Sequence, residues 1–297
     1  MITRIFAGLL ASTAFLSLAL TASVASAQLL PGDGAIPEDA WRDVDPENLV
    51  LIDTDYGVIG VELYPEIAPK HAERIKALAR SKFYDNVPFH RVIEGFMNQT
   101  GDGTNGDGTG DSELPDLDPE FTFRRSTKMN VALAGKRDIK GKLQPVGFYK
   151  ALPVTTQPIN QAFLTKDGKV AAHALHCKGV TSMARTANPS TGNSQFFLMR
   201  DTSESLDQKY SIWGNTVMGF EFVEKPKVGT VGDDPSFVPD RMNTVRVAAD
   251  LPEGERPRVQ VMKTDGAAFE AFLNTQRKLT TGKFPDICDI KVPTRTL

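Results

Sequence analysis

Cysteine is scarce: Cys177 and Cys288 are the only two in 297 residues. A small disulfide-framework fold and a four-cysteine zinc site are therefore excluded. A basic surplus is also missing, with 34 Lys and Arg against 37 Asp and Glu and a net charge of −3. That balance argues against a nucleic-acid partner. No glycine fingerprint for a nucleotide occurs, and no Gly-x-Ser-x-Gly elbow for a nucleophilic serine. Beyond residue 27 no apolar run is long enough to span a bilayer. The remaining composition, 40% hydrophobic and 24% charged, is that of an ordinary globular protein. The length allows one large domain or two small ones.

Residues 1–27 have the form of a signal peptide. Arg4 supplies the positive start, Ile5 to Leu20 the apolar stretch, and Ala25-Ser26-Ala27 the cleavage site. No cysteine follows that site to carry a lipid anchor. The expectation is an exported chain, periplasmic or secreted, with no membrane attachment after cleavage. Residues 28–47 form a lead-in rich in Pro, Asp and Gly. Val50 to Asp55 and Val58 to Leu63 read as a hairpin turned at Tyr56-Gly57. Pro69 opens a helix with Ala72, Ile75, Leu78 and Ala79 at helical spacing. Strands are expected at Val87 to Ile93, Phe96 to Thr100, Ser194 to Met199, Tyr210 to Val217, Thr244 to Ala249 and Arg258 to Met262. A last helix between Asp265 and Gly282 buries Phe269, Phe272 and Leu273. Strands dominate and helices are few, so the pattern favours a mainly β fold, an antiparallel barrel or sandwich with helices outside.

The histidines offer little. His173, His176, Cys177 and Cys288 are the candidate zinc ligands, but adjacent His176-Cys177 is an awkward pair. A Cys177–Cys288 disulfide and two unpaired thiols are the alternatives. The loop Gly103 to Gly108 invites a calcium reading, yet an EF-hand register puts Gly103 at position one and Leu114 at position twelve, where carboxylates are needed. A tight glycine turn is the simpler account. In the run Phe89 to Asp102, strand alternation puts Met97 and Gln99 on one face. It puts Gln195 and Phe197 together in the later strand. Apolar groups beside glutamines form a ligand pocket, or else a buried aromatic core with Arg91 as a solvated edge residue.

Two long runs carry a resemblance: FYDNVPFHRVIEGFMNQTGDGTNGDGTG (83–110) and VTSMARTANPSTGNSQFFLMRDTSESLDQKYSIWG (180–214). Both resemble the signature of cyclophilin-type peptidyl-prolyl cis-trans isomerases, and PEIAPKHAERIKALA fits the family's start. The likeness covers roughly 48–111 and 179–250. It implies a cyclophilin-like closed antiparallel β-barrel with flanking helices, acting on X–Pro bonds of unfolded or partly folded polypeptides and assisting the folding of exported proteins. A cyclophilin-like proline-binding module or chaperone with little catalysis is the alternative. No metal or cofactor is implied, and the oligomeric state is left open. By resemblance, Arg91 is the catalytic arginine and Gln99 positions it. Phe96, Met97, Phe197 and Leu206 form the proline pocket, Gln195 is a further pocket residue, and Gly108 and Ala184 line the groove. By the same resemblance Tyr210 and Arg185 are substrate-binding positions. Tyr210 stands where many members have histidine, and Arg185 where many have an asparagine that works largely through its backbone, so that role is expected to survive. Ser205 stands where many have an aromatic. Two additions depart from the family: an insertion at about 112–178 and a strand-helix-strand extension at 251–297, outside a 48–250 domain. Cys177 and Cys288 fall one in each, so a disulfide between them would tie the additions together. The insertion, with Phe148, Tyr149, Leu152 and Phe163 for packing, is expected beside the groove.

Overall fold

The computed structural model describes residues 36–297 except 140, 281, 283 and 284. The expected signal peptide and most of the lead-in lie outside the described residues. Nine strands make one antiparallel sheet. Their order is Gly229–Thr230, Arg91–Ile93, Met97–Thr100, Phe196–Met199, Val180–Met183, Ile212–Met218, Gly57–Leu63, Leu49–Thr54 and Thr244–Val247. The hairpin holds, with Leu49 paired to Glu62 and Thr54 to Gly57, but its turn is Asp55-Tyr56 and Gly57 already belongs to the second strand. The expected closure does not hold. Gly229–Thr230 and Thr244–Val247 do not pair with each other, so the barrel wall is curled but open. At its ends lies a separate two-residue pair, Val87–Pro88 with Arg241–Met242. Pro88 has no N–H to extend that ladder.

Both faces of the wall are apolar. Ile52, Ile59, Leu198 and Trp213 turn inward and pack with Ala72, Ile75 and Leu78 of helix α1 (Pro69–Arg80). Leu51, Met199 and Val217 turn outward into a second cluster. Helix α1 starts at Pro69, and no side chain of its own N-cap satisfies the first amides. Glu120, from the insertion, does so instead. Its carboxylate accepts from the N–H of Lys70 at 3.2 Å and of His71 at 3.1 Å, and lies 2.7 Å from His71 Nδ1. A negative group there also suits the helix dipole.

The insertion, opaque in sequence, is a five-stranded antiparallel sheet. Its order is Phe123–Ser126, Lys169–Ala174, Leu152–Thr156, Lys142–Tyr149, Ala132–Ile139. Phe148 and Leu152 are buried and Tyr149 is half-buried, as expected, but Phe163 is 87% exposed and contributes nothing to packing. The lead-in is less loose than its composition indicates. Trp41–Asp43 pairs with Val259–Met262, which pairs with Thr294–Thr296. Arg42 donates two hydrogen bonds to buried Glu62, at 2.7 and 2.8 Å, and Tyr64 Oη donates to the same carboxylate at 3.0 Å. Both late strands expected from the sequence are present, Thr244–Val247 in the nine-stranded sheet and Val259–Met262 in the three-stranded one. Helix α2 (Ala267–Leu279) buries Phe269, Phe272 and Leu273, and Phe269 meets Phe148 edge-on at 5.8 Å.

Cys177 and Cys288 form a disulfide with a Cα separation of 5.0 Å, closing 111 positions of sequence. The chain-entropy account gives an upper figure of about 4–5 kcal/mol for a loop of that size. The non-reduced native protein should therefore show no titratable thiol, and reduction should lower its melting temperature. Two thiols reacting in the native state would contradict the pairing.

Candidate active site

Strand register builds the site. Arg91 pairs with Gln99, and Gln99 pairs with Phe197. Three adjacent strands thus present a guanidinium, an amide and a benzyl ring in one row on the outer face. Met97 lies two residues from Gln99, opposite Met199. The alternation expected from Phe197 holds, since Phe196 and Leu198 on the opposite face belong to the inner cluster.

A directed chain of hydrogen bonds fixes the polar part. The carbonyls of Gly108 and Gly110 each accept from Gln195 Nε2 at 2.9 Å. Two acceptors on one side allow only the NH₂ end of Gln195 to face them. Its Oε1 therefore faces Gln99 and accepts from Gln99 Nε2 at 3.1 Å. Gln99 is oriented in turn, and its Oε1 accepts from Arg91 Nη1 at 3.2 Å. Among the described residues, the other guanidinium donors of Arg91 have no protein acceptor.

The glycine loop that starts this chain is organised by Asp102, whose role the sequence reading missed. Its carboxylate accepts from the N–H of Thr104, Asn105, Asp107, Gly108 and Gly110 at 2.9–3.3 Å. Burial opposes its charge, but the backbone donors, led by Asn105, Gly110 and Gly108, outweigh that and bring its pKa down to about 2. Gly108 has φ +93°, and a Cβ there would lie 2.9 Å from the His90 ring, so only glycine fits. An acid just ahead of four closely spaced glycines was the available signal.

The apolar part gathers Met97 and Phe197, both buried, with half-buried Phe96, Leu206, Ala184 and Tyr210. Phe96 sits in the Glu94-Gly95 turn, held because Arg200 N donates to its carbonyl at 2.9 Å. The Arg200 guanidinium donates to Glu94 and to the Glu224 carbonyl, both at 2.8 Å. Ala184 N donates to Gln195 O at 2.8 Å. The insertion does reach this patch. His176 stacks on Phe197 with centroids 6.2 Å apart, and Tyr210 meets Phe197 edge-on at 5.5 Å. His176 is clamped between Asp207 Oδ1 at 2.9 Å and Ser182 Oγ at 3.0 Å. Arg185 lies with its Cζ 4.5 Å from the Tyr210 centroid. Ser205 is exposed and pairs with Ser203 Oγ at 3.0 Å. The cysteines once weighed as zinc ligands are bonded to each other. Among the described residues no three His, Cys, Asp or Glu side chains cluster to hold a metal.

Replacing Asp102 by Asn puts a donor where N–H groups converge. Losing hydrogen bonds to a charged group costs about 1.5–3 kcal/mol. Asp102→Asn should destabilise the protein by that order at pH 7. The folded pKa lies below the ordinary value of about 3.9, so the contribution is complete above that pH and fades as pH falls toward 2. The stability gap between variant and wild type, followed by denaturant unfolding, should narrow over that window. A gap that is constant with pH would count against the assignment.

Residues 49–247 match the family described as cyclophilin type peptidyl-prolyl cis-trans isomerase/CLD. A probable peptidyl-prolyl cis-trans isomerase of Brucella suis is 31% identical over 217 residues, covering 69% of this chain and 85% of that protein. Peptidyl-prolyl cis-trans isomerase-like 3 of Rattus norvegicus is 30% identical over 176 residues, covering 59% of this chain and 80% of that protein. The crystal structure of cyclophilin AquaCyp293 from Hirschia baltica superposes with a TM-score of 0.76 at 38% identity, covering 86% of this chain and 93% of that one. That coverage exceeds the stretch matched to the family, so the structural likeness extends into residues outside 49–247. With an outward row of arginine, glutamine and phenylalanine on a curled β wall, the chain belongs to the cyclophilin-type peptidyl-prolyl cis-trans isomerases.

Proposed function

We propose that this isomerase acts on X–Pro bonds of unfolded or partly folded exported polypeptides, with Arg91 as the donor that lowers the rotational barrier. An X–Pro amide resists rotation by about 18–20 kcal/mol because the nitrogen lone pair is delocalised into the carbonyl. Twisting localises that pair and makes the nitrogen a hydrogen-bond acceptor. A donor that meets the nitrogen only in the twisted state favours the transition state over both planar forms. The observation that carries this reading is Arg91 itself: one N–H is committed to Gln99 and, among the described residues, the others face no protein acceptor. The aligned amides hold the guanidinium in place before substrate arrives, so little reorganisation accompanies rotation. Met97, Phe96, Phe197 and Leu206 supply an apolar surface for the proline ring, and Ala184 offers backbone to the flanking peptide. No covalent bond is made or broken, and the side chains present suffice. Export is supported by the form of residues 1–27 and by the Cys177–Cys288 disulfide, which persists in an oxidising compartment.

Arg91→Ala should lower kcat/KM for a prolyl peptide at least tenfold with the fold retained. Loss of one transition-state donor commonly costs about 2.7–4 kcal/mol. Activity within twofold of wild type would exclude the mechanism. For export, the mass of protein recovered from the periplasm or medium of the expressing cell should correspond to a chain starting at Gln28. Retention of the full-length mass inside the cell would refute that part.

A further inference from the structure

Arg185 is unusual in how it is held. Its guanidinium lies 4.5 Å over the Tyr210 ring and 5.8 Å from the Phe121 ring of the insertion. Its Nε donates to Lys209 O at 2.9 Å and its Nη1 to Thr186 O at 2.7 Å. Rings and carbonyls thus set its plane, but they do not neutralise it. Among the described residues no carboxylate stands within ion-pair distance of it. Lys209 next to it has the same character, since among the described residues its Nζ donates to Ser205 O at 2.7 Å and to no acid. The acids nearby in sequence are engaged or turned to other partners. Asp207 bonds to His176, Glu204 lies 3.4 Å from Arg137, and Asp201 accepts from Thr202 N.

These two cations stand at the rim of the apolar patch. Tyr210, under Arg185, meets Phe197 edge-on at 5.5 Å, and Ser205, which Lys209 grips, adjoins Leu206. Arg185 follows Ala184 directly in the chain. A peptide lying across Phe197 and Ala184 passes the free edge of a preoriented guanidinium. Little side-chain entropy remains to be lost when that edge meets a second fork of oxygens.

We propose that Arg185, assisted by Lys209, makes this enzyme prefer X–Pro segments bearing a carboxylate on a residue that flanks the proline. The proposal rests on the isomerase reading and names its substrate class. The test uses the full chain and two peptide series, with Glu, Ala or Lys placed immediately before proline and then immediately after it. Rates of cis–trans exchange are measured at low and at high salt. In at least one series the Glu peptide should exceed the Lys peptide in kcat/KM by about threefold to fivefold at low salt, as an exposed ion pair allows. The ratio should approach one at high salt. Arg185→Gln should collapse the ratio, whatever it does to the Ala peptide, and Arg185→Lys should restore part of it. A wild-type ratio near one in both series would overturn the proposal, as would an unchanged ratio in folded Arg185→Gln. Exchange catalysed equally for all peptides would sink this proposal and leave the isomerase reading intact. No catalysis of any peptide would sink both.

Discussion

A β wall that is apolar on both faces must be covered on both, and most of this architecture answers that requirement. Ile52, Leu198 and Trp213 find cover inside the curl and under helix α1. Leu51, Met199 and Val217 find it outside, in one cluster with Trp41, Phe148 and Phe269. Each large side chain so buried contributes about 1.5–3 kcal/mol. The insertion and the extension are thus the outer half of the core. Where their cover stops, the wall presents Arg91, Gln99 and the half-buried edge of the apolar patch. The proposed active face is the part of the outer surface left uncovered.

That position has a chemical benefit. The groups that matter sit on three hydrogen-bonded strands, and their amide orientations follow from two glycine carbonyls pinned by one carboxylate. Asp102 touches none of the residues expected to meet substrate, other than the backbone of Gly108. It nevertheless determines which way Gln195 and Gln99 point. The insertion enters the same arrangement from the other side, through His176 under Phe197 and Phe121 beside Arg185.

The inner elements were readable because their signals are local. The hairpin is closed by Asp55-Tyr56, one residue before the expected turn, and the two-residue period in Phe96 to Thr100 and Gln195 to Met199 correctly sorted wall residues between faces. The motif likeness then brought the named site residues to one surface. The insertion was unreadable because Pro145 and Pro153 lie inside its strands and a register shift falls between Leu133 and Gly135, all of which break the strand pattern. Trp41–Asp43 was unreadable for a different reason: its partner Val259–Met262 lies far along the chain, and three residues carry no period. Phe163 misled because apolar character alone does not set depth. Asp102 was passed over because its loop was tested for a metal, when its partners are amides.

The sheet shared by Trp41–Asp43, Val259–Met262 and Thr294–Thr296 has a bearing on the order in which the molecule is completed. Synthesis delivers a chain from its N-terminus, so the first described strand waits for its neighbours until Val259–Met262 has been made. Until then the Arg42 guanidinium has no sheet to hold it against Glu62, and the outer apolar face of the hairpin stays wet. Leu49–Thr54 likewise waits for Thr244–Val247, so both layers close through pairings of high contact order. A catalyst of slow chain isomerisation thus has its own first described strand waiting on partners more than 200 positions further along the chain.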